Sequence, residues 1–362
     1  MSIPFVLSKT PIYDHCFSAD RRNVAITKDK DVQIFNLSNP SKPQLITTLK
    51  HHDKPVTAVD ISADGKIVTC SQDRNALVWT PQADGSYKET LVLLRINRAA
   101  TCVKWCPNGA KFAVGSSARV ISVCYFEEEN DWWIAKHIKR PIKSTVLSLD
   151  WHENSVLLAA GSTDGHLRVF STFVKGVDSK PAATIWGERL PFQTLCLDVN
   201  LNAWVQDVKF SPDLQFVAGV GHDGSVFVVY PGAGELEVSN VVKVKTSNLP
   251  FTSLVFVNPS KLVCAGYDCH PIVFEGSGSQ GWKQTYAIDD PKKKKANVVE
   301  NQSALNMFRQ MDLKGSSEPK SNTLLTVHQN TITSLRPFQS EASGLIRFSS
   351  SGNDGKVVIF DV

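Results

Sequence analysis

Apolar and polar positions alternate along most of this chain with a period of two, in short runs broken by turn residues. Seven runs share one shape: "NVAITKDKDVQIF" ending at Phe35, "KIVTCSQDRNALVW" at Trp79, "KFAVGSSARVISVCY" at Tyr125, "VLLAAGSTDGHLRVF" at Phe170, "QFVAGVGHDGSVFVVY" at Tyr230, "KLVCAGYDCHPIVF" at Phe274 and "IRFSSSGNDGKVVIF" at Phe360. Each reads as an apolar strand, a step of small residues, a tight turn that usually carries an aspartate, and an alternating strand with an aromatic near its end. Asp29, Asp73, Asp164, Asp268 and Asp354 stand six residues before that aromatic, Asp223 stands seven before Tyr230, and Arg119 takes the aspartate's place in the third run.

Ahead of most runs lies a further strand of the form V-x-x-apolar-x-aromatic, as in "VTAVDIS" from Val56, "ATCVKWC" from Ala100, "VLSLDWH" from Val146, "VQDVKFS" from Val205 and "FTSLVFV" from Phe251. Three such strands plus an outer one make a propeller blade. Phe35, Trp79, Tyr125 and Phe170, then Tyr230 and Phe274, follow one another at the ~40–45-residue spacing of WD-type repeats. A lone blade cannot bury both faces, so blades stack in a circle. The pattern predicts an all-β chain: one seven-bladed WD40 β-propeller over residues 1–362. The last strand, "KVVIF", leaves no following sequence to pair with it. Ile3, Phe5 and Leu7 alternate onto one face and Pro4 suits an edge, so residues 3–8 are predicted to complete the last blade and close the ring.

Blade two shows the expected polar network most fully. His51 or His52, with Ser71, Asp73 and Trp79, has the types and spacing for a buried His–Asp–Ser–Trp hydrogen-bond chain. A serine, a histidine and an aspartate also invite a hydrolase reading. The pattern recurs from blade to blade without a nucleophile elbow, which points to architecture. His222 and His270 read as turn residues, and a propeller enzyme would need converging carboxylates, histidines or a metal at the channel mouth. No enzymatic activity, cofactor or metal is expected.

Two intervals break the period. Between Phe170 and Tyr230 there are about fifteen extra residues, rich in Pro and Gly, which predict an extended surface connection in which Trp186 and Phe192 need a partner or a groove. Between Phe274 and Phe360 there are about forty extra residues. There "WKQTYAIDD" completes the sixth blade, and an insertion over 289–323 changes period from two to ~3.6. It predicts a short amphipathic helix at about 301–313, carrying Leu305, Met307, Phe308, Met311 and Leu313. Two of the chain's three methionines, Met307 and Met311, fall in it. A helix this short needs something to dock against.

Net charge is +4, too mild and too scattered to argue for nucleic acid. The start "MSIPFVLSKTP" lacks the features of a secretion signal, and no apolar run approaches the ~18–20 residues that cross a bilayer. The eight cysteines lie mostly inside apolar strands, and Cys102 and Cys106 lack the companions of a zinc site. The expectation is an intracellular, soluble protein with no membrane insertion.

The stretch "FEEENDWWIAKHIKRPIKSTVLSLDWHENSVLLAAGS", residues 126–162, with the paired Trp132 and Trp133 and the helical insertion before the last blade, resembles one WD family: the forty-kilodalton propeller subunit of the actin-related protein 2/3 complex, which nucleates branched actin filaments. The resemblance covers essentially the whole chain. It implies a non-catalytic scaffold whose partners are the two actin-related proteins, the small scaffold subunits, the mother actin filament and the acidic tails of nucleation-promoting factors, in the cytoplasm and actin cytoskeleton. Carried onto this sequence, the filament contact falls on Leu305, Met307, Phe308, Met311 and Leu313, and contacts to acidic neighbours fall on Lys136, Lys139, Arg140 and Lys143. The alternative is a WD40 adaptor of another multiprotein complex that reads peptides at its channel rim.

Overall fold

A computed structural model describes residues 2–188, 190–234, 236–294 and 324–362. Its strands form seven four-stranded antiparallel sheets. Blade one holds β2 (His15–Phe17), β3 (Asn23–Lys28), β4 (Asp31–Asn36) and β5 (Gln44–Lys50), and blade two holds β6 (Val56–Ile61), β7 (Ile67–Ser71), β8 (Ala76–Pro81) and β9 (Tyr87–Val92). Blade three holds β10 (Ala100–Trp105), β11 (Lys111–Ser116), β12 (Ile121–Glu127) and β13 (Trp132–Ile138). Blade four holds β14 (Val146–Trp151), β15 (Leu157–Ser162), β16 (His166–Ser171) and β17 (Leu195–Asn200). Blade five holds β18 (Val205–Phe210), β19 (Val217–Gly221), β20 (Val226–Pro231) and β21 (Val238–Val244). Blade six holds β22 (Phe251–Asn258), β23 (Lys261–Gly266), β24 (Ile272–Ser277) and β25 (Gly281–Ala287).

The seventh sheet joins the two ends of the chain. Its order is β1-β28-β27-β26, with β1 (Ser2–Val6) beside β28 (Lys356–Asp361), then β27 (Gly344–Gly352) and β26 (Ile332–Glu341). Pro4 lies opposite Val358 on the edge strand, where a missing N–H costs no ladder bond. The strand is shorter than 3–8 at its end, because Leu7 and Ser8 turn inward and both donate their N–H to the Gly355 carbonyl, at 3.1 and 3.0 Å. Ile3, Phe5 and Leu7 share a cluster with Ile12 and with Phe17 and Ile26 of blade one, so the alternation read from the sequence becomes an inter-blade core.

The ring is also bolted around the channel. The Thr at the second position of an inner strand donates to the first carbonyl of the next, Thr57 to Ala100, Thr101 to Val146 and Thr252 to Ile332, at 3.1, 2.5 and 2.5 Å, and Thr333 donates to Ile12 O, just ahead of β2, at 2.7 Å. Carboxylates cover the remaining junctions. Asp14 accepts Val59 N–H, Asp150 accepts Phe210 N–H and Asp207 accepts Leu254 N–H, at 3.2, 2.9 and 3.0 Å. Every neighbouring pair of blades is thereby joined by a polar bond as well as an apolar interface.

Register explains two irregularities. Outside blade one, where Asp29 itself has φ 51°, the residue after each turn aspartate is left-handed: Arg74 has φ 75°, Cys269 φ 62° and Gly355 φ 73°. Arg119, with φ 60°, occupies that position, so Ala118 stands where the aspartate would be. Tyr125 and Tyr230 fall one step beyond the buried slot, which Cys124 and Val229 fill instead. In the long connection before β17, Trp186 is buried against Phe210 and donates its indole N–H to Leu214 O at 3.1 Å. That connection is anchored from blade three by buried Lys111, which pairs with Asp178 and donates to Thr172 O at 3.0 Å.

Candidate interaction surfaces

The hydrogen-bond chain of blade two is present, with one of the two candidate histidines and with one change of hydroxyl. His52, not His51, bridges it: its Nδ1 meets Asp73 Oδ2 at 2.7 Å and its Nε2 meets Thr69 Oγ1 at 2.9 Å. His51 is exposed and lies 3.5 Å from Glu89. The hydroxyl that joins histidine to tryptophan belongs to Thr69, which accepts Trp79 Nε1–H at 3.1 Å. Ser71 lies on the same strand face one pleat nearer the turn, where it accepts Asp73 N–H at 3.1 Å and donates to Lys54 O at 2.8 Å. Blade seven repeats the chain as Asp354–His328–Ser350, with His328 Nδ1 3.0 Å from Asp354 and Nε2 2.8 Å from Ser350. These are Asp–His–hydroxyl sets in connectivity, but Thr69 and Ser350 are wholly buried. Thr69 is already committed to Trp79, and neither hydroxyl can meet a substrate. Burial lowers the His52 pKa despite Asp73 beside it, so the ring is neutral at physiological pH.

A charged cluster in the channel was not anticipated from the sequence. The fifth residue of successive inner strands reads Asp60, Lys104, Asp150, Lys209, Val255 and Arg336. Arg336 holds Asp60 and Asp14 at once, 2.7 Å to each, and donates to Val59 O at 2.9 Å. Lys209 lies 3.1 Å from Asp207 and 3.6 Å from Asp150. Burial works against the Asp14 carboxylate, but Arg336 and Lys104 outweigh it and hold its pKa below the ordinary value. Burial raises the Asp150 pKa, which Lys209 offsets only in part. The same burial, with Arg336 nearby, drives His15 down to about 3. Charge of alternating sign at that fifth position, in Asp60, Lys104, Asp150 and Lys209, is the signal the sequence carries for this cluster.

The channel rim carries aromatic side chains of the kind a peptide adaptor would use. Exposed Trp204 stacks on His222 at 5.2 Å, and Tyr267 stands edge-on to the same imidazole at 6.3 Å. The cysteines take no part in any such surface: they form no disulfide, and burial pushes the Cys16 and Cys102 thiols up to about 12.

Leu305, Met307, Phe308, Met311 and Leu313 lie outside the described residues, as does the rest of 295–323. The two ends of that segment are described, and they meet. Asp289 pairs with Lys294 and accepts Val327 N–H at 2.5 Å. Lys294 Nζ also reaches Leu325 O at 3.0 Å, and Lys356 Nζ reaches Val327 O at 2.6 Å. Gln329 clasps Leu324 through both its N–H and C=O groups, at 2.9 and 3.1 Å. A closed polar neck therefore joins residues 289–294 to 324–329 on the propeller.

Lys136, Lys139, Arg140 and Lys143 are all exposed. Lys136 lies on outer strand β13 over the rings of Tyr125 and Phe192, 5.7 and 5.6 Å from their centroids. The other three follow one another along the loop into β14, where Lys143 N–H is fixed by Asp164 at 2.9 Å. Trp133 turns inward against Trp105 and Phe112, whereas its neighbour Trp132 is 58% exposed.

The family model "WD domain, G-beta repeat" matches residues 43–80, 136–171 and 194–229. Each match runs from the outer strand of one blade through three strands of the next, so the repeat and the blade are offset by one strand. Curated relatives align over nearly the full chain. "Actin-related protein 2/3 complex subunit 1" of Saccharomyces cerevisiae is 46% identical over 378 residues, covering 99% of this chain and 96% of that protein. Its namesake in Schizosaccharomyces pombe is 47% identical over 366 residues, covering 97% and 96%. "Actin-related protein 2/3 complex subunit 1B" of Arabidopsis thaliana is 36% identical over 361 residues, covering 96% and 93%.

Proposed function

The chain belongs to the family of actin-related protein 2/3 complex subunit 1, and from that premise we propose that it is a structural subunit of that complex which acts without catalysis of its own. The observation that carries this reading is the collinear identity of 46% across 99% of the chain. The buried state of the Asp–His–hydroxyl sets supports the non-catalytic part, because each hydroxyl is held inside a sheet.

Within the assembly, the insertion over 289–323 contacts the mother actin filament through Leu305, Met307, Phe308, Met311 and Leu313. The closed neck supports this role: it fixes where the segment leaves the propeller, so a docked apolar face transmits its position to a rigid body. Lys139, Arg140 and Lys143 form an exposed basic run suited to the acidic tails of nucleation-promoting factors, and the protein works in the cytoplasm on actin networks. The test is a complex reconstituted with Leu305→Ala and Phe308→Ala together. The expected result is a reduced branch density with an unchanged propeller melting temperature. Normal branching from that variant would refute the filament contact.

A further inference from the structure

Beside blade three lies an open groove of about 1340 Å³ that none of these roles uses. One wall is β9, the outer strand of blade two, and the other is the hairpin between β12 and β13. Its apolar surface is formed by Leu91, 52% exposed, and Phe126, 37% exposed. Phe126 is held firmly, since it stands edge-on to Trp133 at 5.5 Å, and Trp133 in turn rests on Trp105 and Phe112. A large aromatic fixed from behind and open in front is the kind of anchor on which interfaces concentrate their energy. The hairpin turn above it carries Glu128, Glu129 and Asp131, which have no salt-bridge partner among the described residues. On the opposite wall Lys88 is exposed and unpaired in the same sense.

We propose that this groove receives an extended segment of another subunit of the same complex, with an apolar side chain on Leu91 and Phe126 and a lysine or arginine at the Glu128–Asp131 turn. The inference rests on the subunit reading above. Charge decides the chemistry of the occupant: the groove's lining carries Lys66, Lys88 and Lys175 against Glu89, Glu127, Glu128, Glu129 and Asp131, and the three carboxylates of the turn, clustered without a cation among them, repel an acidic segment there and favour a basic one. Position decides its form, because β9 ends its sheet and an extended chain can lie along such an edge.

The test uses the intact complex with a photo-crosslinking phenylalanine analogue installed in place of Leu91. The expected product joins this chain to another subunit, at a residue flanked by lysine or arginine. Combining it with Glu128→Lys and Glu129→Lys should lower the crosslinking yield about ten-fold, with the melting temperature of the chain unchanged. An intact complex without a crosslink overturns the inference. So does a crosslink to actin or to an acidic segment, and so does a yield indifferent to the charge reversals. Recovery of the chain alone, with no complex, would instead overturn the subunit reading and this inference with it.

Discussion

Replacing Arg336 by Met removes the cation that, among the described residues, ion-pairs with both Asp14 and Asp60. In the native channel its two Nη atoms lie 2.7 Å from each carboxylate. Methionine restores the stem but leaves two largely buried acids facing each other without that partner. Breaking a buried pair in this way costs about 3–5 kcal/mol. With an unfolding entropy of about 2.1 cal/mol/K per residue, a chain of 362 residues has roughly 0.8 kcal/mol/K, so the melting temperature should fall by about 4–6 °C. The pH dependence identifies the cause. Asp14 has a lowered folded pKa, so in the native protein its contribution is present above the ordinary carboxylate pKa of 3.8 and is lost as pH falls through the folded value. Without Arg336, only Lys104 still opposes burial and the neighbouring Asp60, so the folded pKa of Asp14 rises from its native position and the deficit shrinks as pH falls. Differential scanning fluorimetry of both proteins at pH 7.5 and pH 5 measures this. A shift below about 1 °C, or a deficit that does not narrow with acid, would refute the clamp.

Further outcomes follow from other parts of the fold. Asp73→Ala strands the His52 Nδ1 and should cost about 1–3 kcal/mol in urea unfolding. Thr69→Val should cost a comparable amount, whereas His51→Ala should be near neutral. His15 has a folded pKa of about 3 against an unfolded value of ~6.5, so the unfolded chain binds the extra proton in this window and stability falls as pH drops from 6.5 towards 3. Between pH 7 and pH 5 this one group removes about 2 kcal/mol, and His15→Gln should flatten the measured slope by that much. Deleting residues 2–9 removes β1 and should sharply lower the melting temperature; an unchanged value would rule out closure by that strand.

The blade count was legible because a period of two in the strands sits inside a much longer repeat, and seven copies in register leave few alternatives. Closure by the leading residues was legible from Pro4 and from a last strand left without a partner. The offset between repeat and blade seen in the WD matches is the same fact in another form: a repeat that begins with the previous blade's outer strand must borrow its final one from the other end of the chain. Side-chain identity inside the network was less legible. Thr69 and Ser71 lie on one strand face two residues apart, and only the reach of the His52 ring distinguishes them. Adjacent His51 and His52 point to opposite sides, so spacing alone left both open. The channel charges were visible as letters but not as a cluster, because Asp60 and Arg336 are joined only by closing the ring.

The most direct measurement is the composition of what this chain brings with it from its own cells under native conditions. A tagged full-length chain, purified gently and analysed by native mass spectrometry, should be recovered in equal amounts with two actin-related proteins in a single assembly. Recovery as a monomer, or with a stable set of proteins that includes no actin-related protein, would contradict the account.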